Sequence, residues 1–228
     1  MRFSLLAFAL VAFAATAQAQ SPSFGLKAGL NTATLFFDDD GAFDEDGIEK
    51  QARLGFVGGV TADVPFTPSL GLRTEVLYAQ KGFKTSFNFE GTDEAGDFDA
   101  SQTIQLDYLE VPVLLNVMIP MQNGLEVGVQ AGAVPAFKLR AALNCGGEAD
   151  DDQFCEPEGD AAREEFDSQF KSFDLGGALG LTVGAGPFAV DARYTLGLLN
   201  VVDEEELEED DSVKNGVFSI AAIYRFGR

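Results

Sequence analysis

Hydrophobic and polar residues alternate with a period of two along most of the chain after residue 20. The last such stretch shows the pattern well, with Phe218, Ile220, Ala222, Tyr224 and Phe226 on one parity and Ser219, Ala221, Ile223 and Arg225 on the other. This period is typical of a β-strand whose two faces meet different environments. Eight stretches qualify, at residues 24–35, 53–64, 70–85, 103–117, 124–139, 171–184, 187–199 and 214–226.

The connections between these stretches alternate in length. The second, fourth and sixth, "PFTPS", "IPMQN" and "GAGP", are short and rich in turn residues, whereas the other four are long and acidic. Each stretch exceeds the roughly 9–11 residues that a tilted strand needs to cross a bilayer. The sequence therefore predicts an all-β protein, an eight-stranded antiparallel up-and-down transmembrane β-barrel with three short periplasmic turns and four long acidic outer loops. Such a barrel must close, because no strand edge can stay unpaired in lipid.

One face of the strands is almost purely apolar, and the other carries charges of both signs. A soluble barrel would bury the apolar face and would not need its charges balanced. Charges enclosed in a narrow lumen do need partners, because isolated buried charge costs several kcal/mol. We therefore assign the apolar face to lipid and the charged face to an internal ion-pair network. Its members are seven bases, Lys27, Arg53, Arg73, Lys81, Lys138, Arg193 and Arg225, and six acids, Asp63, Glu75, Glu110, Glu126, Asp174 and Asp191.

The net charge of −22 is concentrated in the long connections. Residues 36–52, 86–102, 141–170 and 200–213 hold 30 of the 37 acidic residues. Such a surface disfavours nucleic acid as a partner and is typical of proteins adapted to high salt. An EF-hand does not fit, since placing Gly47 or Gly41 at the sixth loop position puts Arg53 or Gly47 at the twelfth. Loose cation binding by the acidic loops remains an alternative.

The first 19 residues predict a cleaved secretory signal peptide. A basic Arg2 precedes an apolar run, which ends at the small residues Ala17 and Ala19. The run is too short to span a bilayer. We therefore expect residues 1–19 to be removed and residues 20–228 to form one outer-membrane barrel domain.

The chain has no histidine. This excludes a Ser-His-Asp triad and histidine-based zinc sites. We expect a non-enzymatic protein with no cofactor, embedded in membrane lipid. Its role would be structural, in cell-surface interaction, or as a membrane component of a secretion system. A small cation-selective channel or a ligand- or Ca²⁺-binding barrel is one alternative, and a soluble exported ligand-carrying barrel is another. The sequence identifies no protein partner for the loops.

Four segments of the chain resemble strands of a known protein family, and they occur in the same order as in that family. "FGLKAGLNTATL" (24–35), "LRTEVLYAQKGFK" (72–84), "LDYLEVPVLLNV" (106–117) and "DARYTLGLLNV" (191–201) are similar to strands of PorT-like outer-membrane β-barrel proteins. The resemblance covers nearly the whole chain after residue 20. It implies an eight-stranded barrel in a Gram-negative outer membrane. Some members are linked to protein secretion or gliding machinery, and the acidity of the loops here departs from the family.

Cys145 and Cys155 are the only two cysteines, and they flank one acidic segment. In an exported protein we expect them to form a disulfide, with two free thiols as the alternative. Denatured protein should then take up a maleimide reagent only after reduction, which mass spectrometry measures. Cys155→Ser is the control and should expose one thiol without reductant. Modification of both cysteines in unreduced protein would contradict the disulfide.

Overall fold

The computed structural model describes residues 21–37, 48–89, 98–121, 124–147, 160–202 and 212–226. Nine strand segments and one helix make up this part of the chain. The strands are β1 (Ser23–Phe37), β2 (Ile48–Pro65), β3 (Leu70–Phe89), β4 (Phe98–Glu110), β5 (Val113–Pro120), β6 (Leu125–Gly147), β7 (Phe173–Ala185), β8 (Phe188–Gly197) and β9 (Val213–Phe226), and the helix α1 is Asp160–Ser168.

The strands form one closed antiparallel ring. Neighbours in sequence pair along the chain, and β1 pairs with β9 from Phe24 opposite Phe226 to Phe37 opposite Val213. This last ladder joins the two ends of the sheet, so no edge remains among the described strands. The predicted ring of eight antiparallel strands is confirmed, because β4 and β5 together occupy a single position in it.

The separation of β4 from β5 has a local cause. The sequence predicts one strand over 103–117, but the ladder is interrupted at Val111 and Pro112. Proline has no N–H to donate. The interruption is short because Val111 donates to the carbonyl of Pro135, and Pro112 accepts from the amide of Glu75. β4 and β5 therefore follow one path between β3 and β6.

Exposure alternates along the strands and fixes which face is outside. On β1, Leu26 and Leu30 are half exposed, whereas Lys27 and Asn31 are buried. Aromatic residues flank the apolar outer band at the short-turn end, where Phe188 and Phe226 pack against Tyr224. An apolar exterior flanked by aromatic residues is typical of a barrel in lipid. A soluble barrel with an apolar interior would show the opposite arrangement.

An apolar layer lies inside the barrel at the end where the long connections emerge. Leu35, Val201 and Val213 pack together with Phe83 and Val202. Val202 also packs against a second cluster formed by Leu106, Tyr108, Ala136, Ala141 and Phe170. We name the layer formed by Leu35, Phe83, Leu106, Phe170, Val201, Val202 and Val213 the apolar cap. Phe170, Val201 and Val202 come from connecting segments. A β-bridge between Phe170 and Val202 joins these two segments.

Helix α1 lies in a segment that the sequence predicts to be an acidic loop. It precedes Phe170 by two residues and contributes Phe166, whose ring packs edge-on against that of Phe170 at 5.4 Å. The helix thereby continues the apolar cap. In the described ranges, no helix has the length and hydrophobicity to cross a membrane.

Several sequence predictions fall outside the described residues. The signal peptide over 1–19 is one of them, and a part of each of the four acidic connections also lies outside. Cys155 also lies outside, and the side chain of Cys145 is not described. The signal peptide, the acidic outer loops and the disulfide therefore stay predictions.

Leu179 tests which face meets lipid. It is 64% exposed and lies on the outer face of β7, midway between Phe173 and Ala185. Leu179→Arg should lower the free energy of unfolding by roughly 2–4 kcal/mol, the cost of arginine at a bilayer midplane. Urea titration of the barrel folded in lipid vesicles measures this. Leu179→Phe is the matched control and should change stability little. A neutral Leu179→Arg would indicate that this face meets water.

Candidate functional site

The lumen brings together most of the charged residues that the sequence places on the inner face. The innermost group, which we name the central cluster, consists of Lys27, Arg73, Glu75, Asp191 and Arg193. All five are buried, with Arg193 the most exposed at 4%. They come from β1, β3 and β8, where the strand period of two turns them inward. Eight strands leave an interior only wide enough for such side chains.

Glu75 is held by two bases. Arg193 makes a bidentate ion pair with it, from Nη1 to Oε2 at 2.7 Å and from Nη2 to Oε1 at 3.0 Å. The Nζ of Lys27 lies 3.5 Å from Glu75 Oε2. The planar guanidinium matches the carboxylate geometry, which makes such pairs among the strongest hydrogen bonds in proteins. Glu75 therefore joins β1, β3 and β8 across the lumen.

Asp191 is the second buried acceptor of the central cluster. Its Oδ1 lies 2.6 Å from Lys27 Nζ and 3.4 Å from Arg193 Nη2. Its Oδ2 accepts hydrogen bonds from Thr182 Oγ1 at 3.1 Å and from the amide of Gln130. Sequence reasoning missed Thr182 and Gln130 because they are uncharged. Both have the inward parity of their strands, and that signal was present in the pattern.

Two further ion pairs line the mouth at the short-turn end. Arg73 binds Asp63 through Nε at 2.8 Å and Nη2 at 3.1 Å. Arg225 binds Glu126 at 2.9 Å and donates to the carbonyl of Gly186. A cavity of about 370 Å³ opens beside these pairs. The acids here are partly exposed, at 18% for the Asp63 side chain and 30% for that of Glu126, so water reaches this mouth.

A second buried group lies between the central cluster and the apolar cap. We name Lys81, Tyr108, Glu110, Asp174 and Asn215 the outer cluster. Lys81 Nζ lies 2.8 Å from Glu110 Oε1 and 4.8 Å from the centre of the Tyr108 ring. Asp174 lies 3.8 Å from Lys81 and accepts a hydrogen bond from Asn215 Nδ2 at 2.9 Å.

Two residues of the predicted network lie apart from it. Arg53 donates to the backbone carbonyl of Lys81 at 2.8 Å and is only half-buried, beside a register shift in β2 between Ala52 and Val57. Lys138 pairs at 2.8 Å with Asp167 of α1. The sequence could not predict this pair because the segment of Asp167 reads as a loop. Five of the seven predicted bases therefore pair with predicted acids.

This arrangement holds the buried charged side chains in mutual ion pairs. The central carboxylates are occupied by bases, and no hydroxyl nucleophile lies beside an unpaired base in the central cluster. Among the residues of the described ranges, no group of three or more Asp, Glu, Cys or His side chains is suited to hold a metal ion. The charged layers and the apolar cap together fill the lumen from one end towards the other.

A family model described as outer membrane protein beta-barrel domain matches residues 17–203. The chain belongs to this family. An apolar outer band and a closed antiparallel ring, both described above, are the properties that a barrel in the outer membrane requires. The barrel thus lies in the outer membrane. Short turns lie on the periplasmic side in barrels of this kind, so we expect the short-turn end to face the periplasm.

Several solved structures match the chain at low sequence identity. Neisserial surface protein A is 15% identical, with 91% of this chain and 100% of that chain covered and a TM-score of 0.44. Ail, the attachment invasion locus protein of Yersinia pestis, solved with the heparin analogue sucrose octasulfate, is 16% identical over 91% and 100% of the chains, with a TM-score of 0.38. OprG from Pseudomonas aeruginosa is 16% identical over 92% and 98%, with a TM-score of 0.38. Among curated proteins, none matches the chain significantly.

Glu75 tests the energetic role of the central cluster. Glu75→Gln keeps the shape of the side chain but leaves Arg193 and Lys27 without their shared carboxylate. Breaking a buried ion pair in this way should cost roughly 3–5 kcal/mol of unfolding free energy. Glu126→Gln makes the same substitution at the wetter mouth, where we expect a loss of roughly 1 kcal/mol or less. Urea titrations of both variants in lipid vesicles provide the comparison. Equal losses would show that burial does not determine the strength of these pairs.

Proposed function

We propose that the protein is a non-enzymatic barrel of the outer membrane whose role lies in structure or cell-surface interaction and not in transport. One observation carries this proposal, the filled lumen. An ion passing from the periplasmic mouth would meet the central cluster, the outer cluster and the apolar cap in turn. What remains accessible outside the cell is the set of connections at the far end of the barrel.

The filled lumen also argues against the channel alternative. Glu75 and Asp191 are each bonded to at least two bases, so an entering cation would have to displace a bound arginine or lysine. Beyond them, Leu106 and Val213 are 0% and 4% exposed. An apolar layer of this kind offers no replacement for the water that surrounds an ion. The acidic connections can still concentrate cations at the surface without passing them through.

Catalysis has little support in the chain. No histidine is present, and the buried carboxylates serve as ion-pair partners. A general acid or base needs a substrate within hydrogen-bond reach. The 370 Å³ cavity at the periplasmic mouth is lined by Asp63 and Arg73, which bind each other. A soluble ligand carrier is disfavoured by the apolar exterior.

A membrane component of a secretion system is a second candidate. It rests on the four segments that resemble PorT-like proteins, in order along the chain. Such a component would act through contacts at its loops or turns, and a filled lumen suits it equally well. Cross-linking in intact cells, with the site in a described turn residue such as Thr67, would separate the two candidates by whether one defined protein is captured.

Conductance tests the filled lumen directly. Purified protein in a planar bilayer should show no steady current above that of the protein-free bilayer, since neither polar layer leaves a continuous water path. Only preparations that migrate differently on a detergent gel before and after boiling count as folded. A larger open barrel in the same lipid is the positive control.

Phe170→Ala combined with Val202→Ala thins the apolar cap and leaves the central ion pairs in place. This variant should also stay closed. A steady cation-selective current through the unaltered protein would reject the proposal and favour a channel.

A further inference from the structure

The charges inside the barrel do not balance. Arg53 and Lys138 do not pair with the predicted acids. This leaves five predicted bases to neutralise six predicted acids. The central cluster and the mouth are neutral together, because Lys27, Arg73, Arg193 and Arg225 offset Asp63, Glu75, Glu126 and Asp191. The excess acid therefore lies in the outer cluster, where Lys81 is the one base for two carboxylates.

Asp174 is the carboxylate that lacks a full partner. Lys81 Nζ is 2.8 Å from Glu110 but 3.8 Å from Asp174, so its charge is bonded chiefly to Glu110. Asp174 is 1% exposed, and its Oδ1 has no hydrogen-bond partner. The side-chain oxygen of Asn215, which is also 1% exposed, has none either.

The neighbouring layers cannot supply the missing charge. Arg193 of the central cluster is bound to Glu75 and to the side-chain oxygen of Gln130, and Lys138 is bound to Asp167. On the other side, Phe83, Leu106 and Val213 each lie two residues nearer the loop end than Lys81, Tyr108 and Asn215. The apolar cap therefore separates the outer cluster from the water outside. A buried carboxylate without a counter-charge costs several kcal/mol, so something must neutralise it.

We propose that the outer cluster binds one monovalent metal cation of the sodium–potassium class, with Asp174 and Asn215 as oxygen ligands. The donors here are carboxylate and amide oxygens with a phenol beside them, which are hard ligands that suit hard cations. The site has two carboxylates and one ammonium, which gives a net charge of −1. A single positive charge neutralises it, whereas a divalent ion would reverse the imbalance. The inference is independent of what the loops do.

The experiment measures the temperature at which folded protein converts to the boiled form on a detergent gel. Samples are folded in NaCl, KCl or choline chloride at equal ionic strength, so that the cation is present when the barrel closes and general screening is constant. A cation that binds only the folded state should raise this temperature in Na⁺ or K⁺ by roughly 5–10 °C at a hundredfold excess over its dissociation constant. Asp174→Asn removes the excess charge and should abolish the difference between metal ion and choline.

Asp63→Asn is the matched control, because it makes the same change at the periplasmic mouth and should keep the cation dependence. If the three salts act alike on the unaltered protein, or if only pH changes its stability, a proton neutralises Asp174 and the proposal is wrong. A cation effect that persists in Asp174→Asn would place binding elsewhere, for example in the acidic loops, and would also overturn it.

Crystals of protein folded in rubidium chloride give a direct test that does not depend on the folding of any variant. An anomalous peak beside Asp174 Oδ1 is expected. Anomalous maps without a peak in the lumen would reject the site.

Discussion

The structure depends on the requirement that backbone N–H and C=O groups be paired wherever water is absent. In this chain the requirement is met by the ladder between β1 and β9, which joins the first strand to the last and removes the sheet edges. Once the ring is closed, the period of two sends one side chain outward and the next inward. Leu26 beside Lys27 on β1 shows the result, a hydrophobic exterior and a charged interior made by the same strand.

Closure creates a second constraint, because the charges that are sent inward must find partners in a space about one side chain deep. Glu75 and Asp191 solve this by each binding several bases from other strands. These bonds cross the lumen and connect strands that do not pair with each other in the ladder. Removing one partner leaves a buried charge exposed to a low dielectric, so the network is expected to be sensitive to single substitutions.

The two ends of the lumen differ in their access to water. Ion pairs at the short-turn mouth reach water, whereas the other end is closed by the apolar cap, to which the segments before β7 and after β8 contribute. This asymmetry places the outer cluster between a charged layer and an apolar one. It also means that the segments leaving the far end are anchored to the barrel by Phe166, Phe170, Val201 and Val202. A rigid support for surface contacts is a consequence of that anchoring.

The sequence by itself determined the strand period, the number of strands, the closed barrel and the face that meets lipid. Each of these follows from local alternation, which is readable residue by residue in β8 and β9. It also identified the inward charges, since parity alone places Glu75 and Asp191 inside. The sequence also contains Pro112, but the alternation does not predict that the strand is interrupted there and divides into β4 and β5.

Only the tertiary structure decided which charges meet. Partners such as Lys27 and Asp191 are separated by 164 residues, and their pairing depends on the register around the whole ring. The register shift beside Arg53 is a property of the pairing between β2 and β3, and the helix that binds Lys138 lies in a segment with a loop-like composition. The uneven charge of the outer cluster follows from these two departures. Local pattern specifies the face of a side chain, whereas its partner is set by contacts made across the lumen.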